Sequence, residues 1–108
     1  MNPVHSKEGK AMLSILPPVH PGEILREEYL SPYGMSAGAL ARKIGVPRTR
    51  IERLAAEQTS VTPDTALRLA KALGTTPQLW MNLQTSYDLK IEAERLGQEI
   101  AAIEPVAA

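Results

Sequence analysis

The chain has 108 residues, no cysteine, no phenylalanine, and twelve basic side chains balanced by twelve acidic ones. Its length bounds it to one small domain with a single core, and the lack of cysteine excludes disulfide frameworks and thiolate zinc sites. No stretch approaches the roughly 20 apolar residues of a membrane span, and the N-terminus lacks the apolar run and cleavage site of a secretory signal, so a cytoplasmic protein with no membrane partner is expected.

Residues 1–19 carry no convincing period and read as a flexible N-terminal arm, in which Pro17-Pro18 favours an extended approach to the first helix. Met12, Leu13, Ile15 and Leu16 are apolar enough to dock on the domain or on a second chain. His5 and His20 are the only histidines and lack carboxylate or thiolate company at ligand spacing, so no metal site is expected. A first helix is predicted from Pro21-Gly22-Glu23 through Ile24, Leu25, Glu28 and Tyr29 to Leu30, with Pro32 and Gly34 ending it. Glu23, Glu27 and Glu28 read as acids that favour a helix start, not as a catalytic pair.

Residues 36 to 56 are the stretch the chain is organised around, two short helices meeting at a tight turn. Ser36 is the expected N-cap, Met35 can staple against Leu40, and Leu40, Ala41 and Ile44 give the first of the two helices one narrow apolar face. Gly45 supplies a left-handed residue for the turn, Pro47 suits the opening of the next helix, and Ile51 and Leu54 recur on one face with Val46 turned to the same core. Leu40, Ala41, Ile44, Gly45, Val46, Ile51 and Leu54 together form the core of a helix-turn-helix. Arg48, Thr49, Glu52 and Arg53 point away from that core, with Arg50 at its border. The N-terminal part of the second helix of such a motif is what meets base edges in the major groove of double-stranded DNA.

The zero net charge divides unevenly. From Ser36 to Ala56 there are five bases (Arg42, Lys43, Arg48, Arg50, Arg53) against Glu52 alone; from Asp88 to Glu104, Lys90 and Arg95 face Asp88, Glu92, Glu94, Glu99 and Glu104. A basic reading head and an acidic tail allow DNA at one end and a basic partner at the other; a merely solvated tail is the alternative.

After the second helix, Gln58, Thr59 and Ser60 lie in a polar loop suited to phosphate. Thr62 as N-cap, Pro63 and Asp64 open a fourth helix with an apolar stripe of Ala66, Leu67, Leu69, Ala70 and Leu73, closed by Gly74. Thr76-Pro77 starts a fifth, carrying Leu79, Trp80, Leu83 and Tyr87 with no further proline until Pro105. It runs either as one long helix or as a pair broken near Tyr87. Leu89, Ile91, Leu96, Ile100 and Ile103 are too many apolar residues for a free helix, so a homodimer is expected, with Tyr87, Leu89, Ile91 and Leu96 as candidates for its interface; a frayed tail weakened by Gly97 is the alternative. A symmetric pair would set two reading helices about 34 Å apart. The organisation is thus an arm (1–19), a helix-turn-helix domain (20–87) and a C-terminal helical extension and tail (88–108).

His20-Pro-Gly-Glu23, the helix-turn-helix of 36–56, Thr62-Pro-Asp-Thr-Ala-Leu-Arg-Leu-Ala70, and Thr76-Pro-Gln-Leu-Trp-Met-Asn-Leu-Gln84 with Tyr87-Asp-Leu89 resemble, in order and spacing, the HigA family of antitoxins. The helix-turn-helix alone would indicate only the broader Xre/Cro-like repressor class. The resemblance covers about residues 20–90 and implies an all-α, five-helix, lambda-repressor-like domain with a long C-terminal helix. It also implies a dimeric repressor of its own operon that neutralises a HigB-type toxin, an mRNA-cleaving ribonuclease of RelE-like fold.

Carried over by position, Ser36 and Arg50 would sit on phosphates, beside the Gln58 and Thr59 that the polar loop itself offers. Arg48, Thr49 and Arg53 would reach base edges, with Glu52 accepting from a cytosine amino group or orienting an arginine. The chain departs from the family at Ala56-Glu57-Gln58-Thr59, where relatives often carry glycine and basic residues, and a shallower salt dependence of DNA binding is expected. A stand-alone repressor and a protein-interaction helical module are the other readings. No nucleophile set, phosphate loop or metal cluster suggests an enzyme, a cofactor or a small-molecule substrate.

Overall fold

The computed structural model describes residues 17–107. His5 and the apolar residues Met12, Leu13, Ile15 and Leu16 lie outside the described residues. Helices follow in the order α1 (Pro21–Ile24, continued by Leu25–Leu30), α2 (Ala37–Ile44), α3 (Arg48–Ala55), α4 (Pro63–Leu73), α5 (Pro77–Arg95) and a short α6 (Gly97–Ala101), with no strand among the described residues. The all-α, five-helix expectation holds, with α6 added. No helix among the described residues is long and apolar enough to cross a membrane.

The ends of these helices are set locally. Ser36, Thr62 and Thr76 each take the extended backbone of an N-cap, and their hydroxyls accept from the N–H groups of Ala39, Thr65 and Leu79. Gly45 (φ 74°) and Gly74 (φ 70°) close α2 and α4 in the left-handed conformation. In α1 the helix widens: Leu25–Leu30 is π-helical, and the Ser31 N–H donates five residues back to the Arg26 carbonyl at 3.0 Å. His20 caps α1, its Nδ1 accepting from the Gly22 N–H at 2.9 Å. Its buried ring meets the edge of Tyr87 with centroids 4.8 Å apart.

One core joins all five long helices. Leu25, Leu40, Ile51, Leu54, Leu69 and Trp80 are fully buried, and Tyr29 lies against Trp80 at 5.6 Å between centroids. The Trp80 indole N–H donates to Thr75 Oγ1 at 2.8 Å, so the buried ring keeps its polar atom satisfied. Gln84, also buried, bridges helix and loop: its Oε1 accepts from the Val61 N–H at 2.7 Å and its Nε2 donates to Asp88 at 3.0 Å.

Two expectations need correction. Leu67 does not belong to the core stripe of α4: Ala66, Leu69 and Ala70 occupy the inward face, and Leu67 turns outward, 61% exposed. The last helix breaks at Leu96 and not near Tyr87, because Tyr87 is anchored on His20 while Gly97, with open space around its α-carbon, follows the end of α5.

Candidate nucleic-acid interface

α2 and α3 meet through Leu40, Ala41, Ile44, Ile51 and Leu54, all buried, with Val46 half-buried and packed on the same core and Gly45 making the turn. Pro47 stands at the N-cap of α3, extended at φ −60° and ψ 143°, so the helix begins at Arg48. This seats α3 on the core and leaves its outer face to water. Arg48, Thr49, Glu52 and Arg53 are exposed on that face, and Arg50 is half-buried beside it.

The outer face is ordered by its own charges. Arg48 Nε pairs with Glu52 Oε2 one turn on at 3.2 Å. The Arg48 stem lies across α2 at Gly38, where an added β-carbon would stand 2.9 Å from Arg48 Cδ. Gly38 thus leaves room for the arginine stem to be aimed along the helix.

Beside α3, a polar recess of about 180 Å³ is lined by Arg50, Thr59, Ser60, Thr62 and Asp64, among others. Arg50 Nη1 reaches Asp64 Oδ2 at 3.5 Å, and Asp64 Oδ1 accepts from Arg68 Nε at 2.5 Å. Arg68 holds the Asp64 carboxyl below its ordinary value, chiefly by that hydrogen bond. Of the other residues expected to face phosphate, Gln58 is exposed and Ser36 caps α2, with its hydroxyl hydrogen left to donate.

Two arginines that sequence reasoning passed over hold the motif in place. Arg26 of α1 donates to the Ala55 carbonyl at the C-terminal end of α3 and pairs with Glu57 at 3.1 Å. Arg68 of α4 donates to the Ile44 carbonyl at 2.7 Å, closing the end of α2. Each cation satisfies carbonyls that a helix end leaves free. Their partners lie 29 and 24 residues away, so no local pattern marks them. His20 and Gln84 did carry a signal: one directly precedes a proline at a helix start, and the other falls four residues after Trp80 on the core face of α5.

A family model described as helix-turn-helix matches residues 25–80. The chain is 51% identical over 92 residues to virulence-associated protein I of Dichelobacter nodosus, covering 85% of this chain and 84% of that one. Among solved structures, an addiction module antidote protein of the HigA family from Coxiella burnetii is 44% identical, with a TM-score of 0.79, over 83% of this chain and 99% of that one. The chain belongs to the HigA family of helix-turn-helix antitoxins. A further member, the Pseudomonas aeruginosa antitoxin HigA solved with the higBA promoter, is 40% identical with a TM-score of 0.79, over 82% of this chain and 98% of that one. The HigA fold therefore accounts for the body of the chain from the first helix into the last.

Proposed function

We propose that this HigA-family chain is the antitoxin of a type II toxin–antitoxin pair. It acts in the cytoplasm as a homodimer, represses its own operon by binding operator DNA, neutralises a HigB-type toxin, and catalyses no reaction. The observation that carries the reading is the outward face of α3, where Arg48 and Thr49 stand in the first turn and Glu52 and Arg53 one turn on, all four exposed. Arg48, Thr49 and Arg53 read base edges, and Glu52 orients Arg48 through their ion pair. Ser36, Arg50, Gln58 and Thr59 hold the phosphates on either side, where helix starts and hydroxyls suit an anion.

The test is binding of the full chain to DNA upstream of its own gene, with unrelated DNA as competitor and an Arg48→Ala/Arg53→Ala double variant alongside. The wild type binds specifically and the variant loses that preference, each bidentate base contact being worth on the order of 1–3 kcal/mol. Equal affinity for competitor would overturn autorepression. Co-expression with the neighbouring gene product then tests the antitoxin role: a stand-alone repressor passes the DNA test and gives no protection from toxicity.

A further inference from the structure

The outward turn of Leu67 opens a groove of about 540 Å³ between α2 and α4. Ile44, Leu67 and Ala72 form its apolar part, and Lys43, Arg68 and Lys71 carry its charge. Arg68 is spent on Asp64 and the Ile44 carbonyl, so Lys43 and Lys71 set the sign of the groove. At the far end of the same chain lies a surface of the opposite kind. From Leu96 onward there is no basic residue; Glu99 and Glu104 are interleaved with Ile100 and Ile103, which are 55% and 67% exposed. Ile100 sits in α6, and Ile103 follows two residues after its end, so the two present their apolar side chains at the close of the chain's last helix.

We propose that the groove between α2 and α4 seats the C-terminal segment 97–106 of a second copy of this chain, an inference that rests on the dimeric reading above. Leu67 and Ile100 are both exposed, so neither covers the other within one copy. A two-fold pair answers both exposures at once, because each copy supplies one groove and one tail and the contact closes without leaving either free. Ile100 and Ile103 cover Leu67 and Ala72, and Glu99 and Glu104 meet Lys43 and Lys71. The lysine rim also selects against a basic occupant, and the apolar floor against a nucleic-acid backbone.

The chain has no native cysteine, which makes disulfide trapping clean. Full-length Leu67→Cys and Ile100→Cys proteins are mixed under mild oxidation, with Gln78→Cys, at an exposed position on α5, as the control partner for Ile100→Cys. The expected result is a mixed disulfide between positions 67 and 100 that forms several-fold faster than either the 78–100 link or the 100–100 link. A 100–100 link forming fastest means that tail packs on tail and overturns the groove, as does equal trapping by the control.

Charge reversal supplies the second measurement. Lys71→Glu raises the dimer dissociation constant about tenfold, a 1.4 kcal/mol effect, and Glu99→Lys added to it restores the wild-type value. Unchanged dimerisation in Lys71→Glu overturns the proposal. Operator binding measured on the same samples separates the two readings. A chain that binds operator as a dimer without the 67–100 link loses only the groove, whereas a chain that stays monomeric at the binding concentration overturns the dimeric reading as well.

Discussion

Arg26 Nη2 and Glu57 Oε2 stand 3.1 Å apart, closing a seam between the first helix and the residue just beyond α3, while the same guanidinium donates to the Ala55 carbonyl. The position of α3 is thus set from α1 as well as by the core beneath it. Arg26→Met keeps the stem and removes the donors, so the Ala55 carbonyl loses its partner. A lower urea midpoint at unchanged slope is expected, together with weaker operator binding. Arg26→Lys recovers only part of the loss, since an ammonium cannot fork between a carbonyl and a carboxylate. A wild-type midpoint in Arg26→Met would show that the seam is decorative.

Glu57 carries a second consequence, because its φ of 63° is in the left-handed region that favours glycine. That conformation costs a non-glycine residue about 1–2 kcal/mol. Glu57→Gly relieves it, but loses roughly 0.5–1 kcal/mol of chain entropy and a solvent-screened ion pair of small worth. Stability therefore changes little. DNA binding changes more: removing a carboxylate beside α3 tightens non-specific binding and steepens the dependence of log K on log salt. Parallel titrations of both proteins at several salt concentrations test this, and superimposable slopes would refute it.

Gly22 is where the backbone of α1 lies directly on the end of α3. A β-carbon there would collide with the Leu54 carbonyl oxygen and lie 2.9 Å from its carbon, both backbone atoms that cannot swing aside. Gly22→Ala must therefore part the two helices, at a cost of about 1–3 kcal/mol or more. Thermal unfolding reads the effect, with Gly97→Ala, which meets open space, as the tolerated control.

Gln84 is the one side chain that satisfies the Val61 N–H in the interior. Gln84→Leu has similar bulk and greases the site, but strands that donor, a loss of about 1–3 kcal/mol. For a domain of this size each kcal/mol lowers Tm by roughly 4–8 °C. A Tm within a degree of wild type would mean that water or another acceptor has taken over.

The contrast between Ser36 and Arg68 shows what a sequence can reveal here. Ser36, Thr62 and Thr76 are caps whose partners lie three residues on, and Gly45 and Gly74 end helices through their own backbone freedom, so local chemistry suffices to place them. Arg68 closes a helix 24 residues away, and nothing in its neighbourhood distinguishes it from a solvated arginine. Leu67 was misplaced for a related reason: an apolar residue on the edge of a helical stripe points to core or to surface according to what the rest of the fold puts beside it. The sequence pattern allows a break in the last helix but does not place it, because the anchor that keeps α5 intact through Tyr87 is the ring of His20, a residue far away in the chain that only the fold brings into contact. The outward residues of α3 were legible because the apolar stripe of that helix leaves them no other face.

Asp64 links these long-range contacts to pH. Arg68 first, and Arg50 more weakly, favour its charged form and depress its folded pKa below the ordinary carboxylate value of about 3.9. A depressed folded pKa means that the unfolded chain binds the proton more readily, so stability is gained with rising pH and is fully present above the unfolded value. It is lost as pH falls from the ordinary carboxylate range through the folded pKa. The carboxyl is half exposed to solvent, so the effect is small. Urea unfolding of wild type and Asp64→Asn at stepped pH isolates it: the gap between the two is constant at neutral pH and narrows below about pH 5. In Arg68→Met the carboxyl titrates closer to its ordinary value by NMR, and the narrowing shrinks accordingly. A gap that stays constant down to the acid limit of folding would show that Asp64 and Arg68 are neighbours without being coupled.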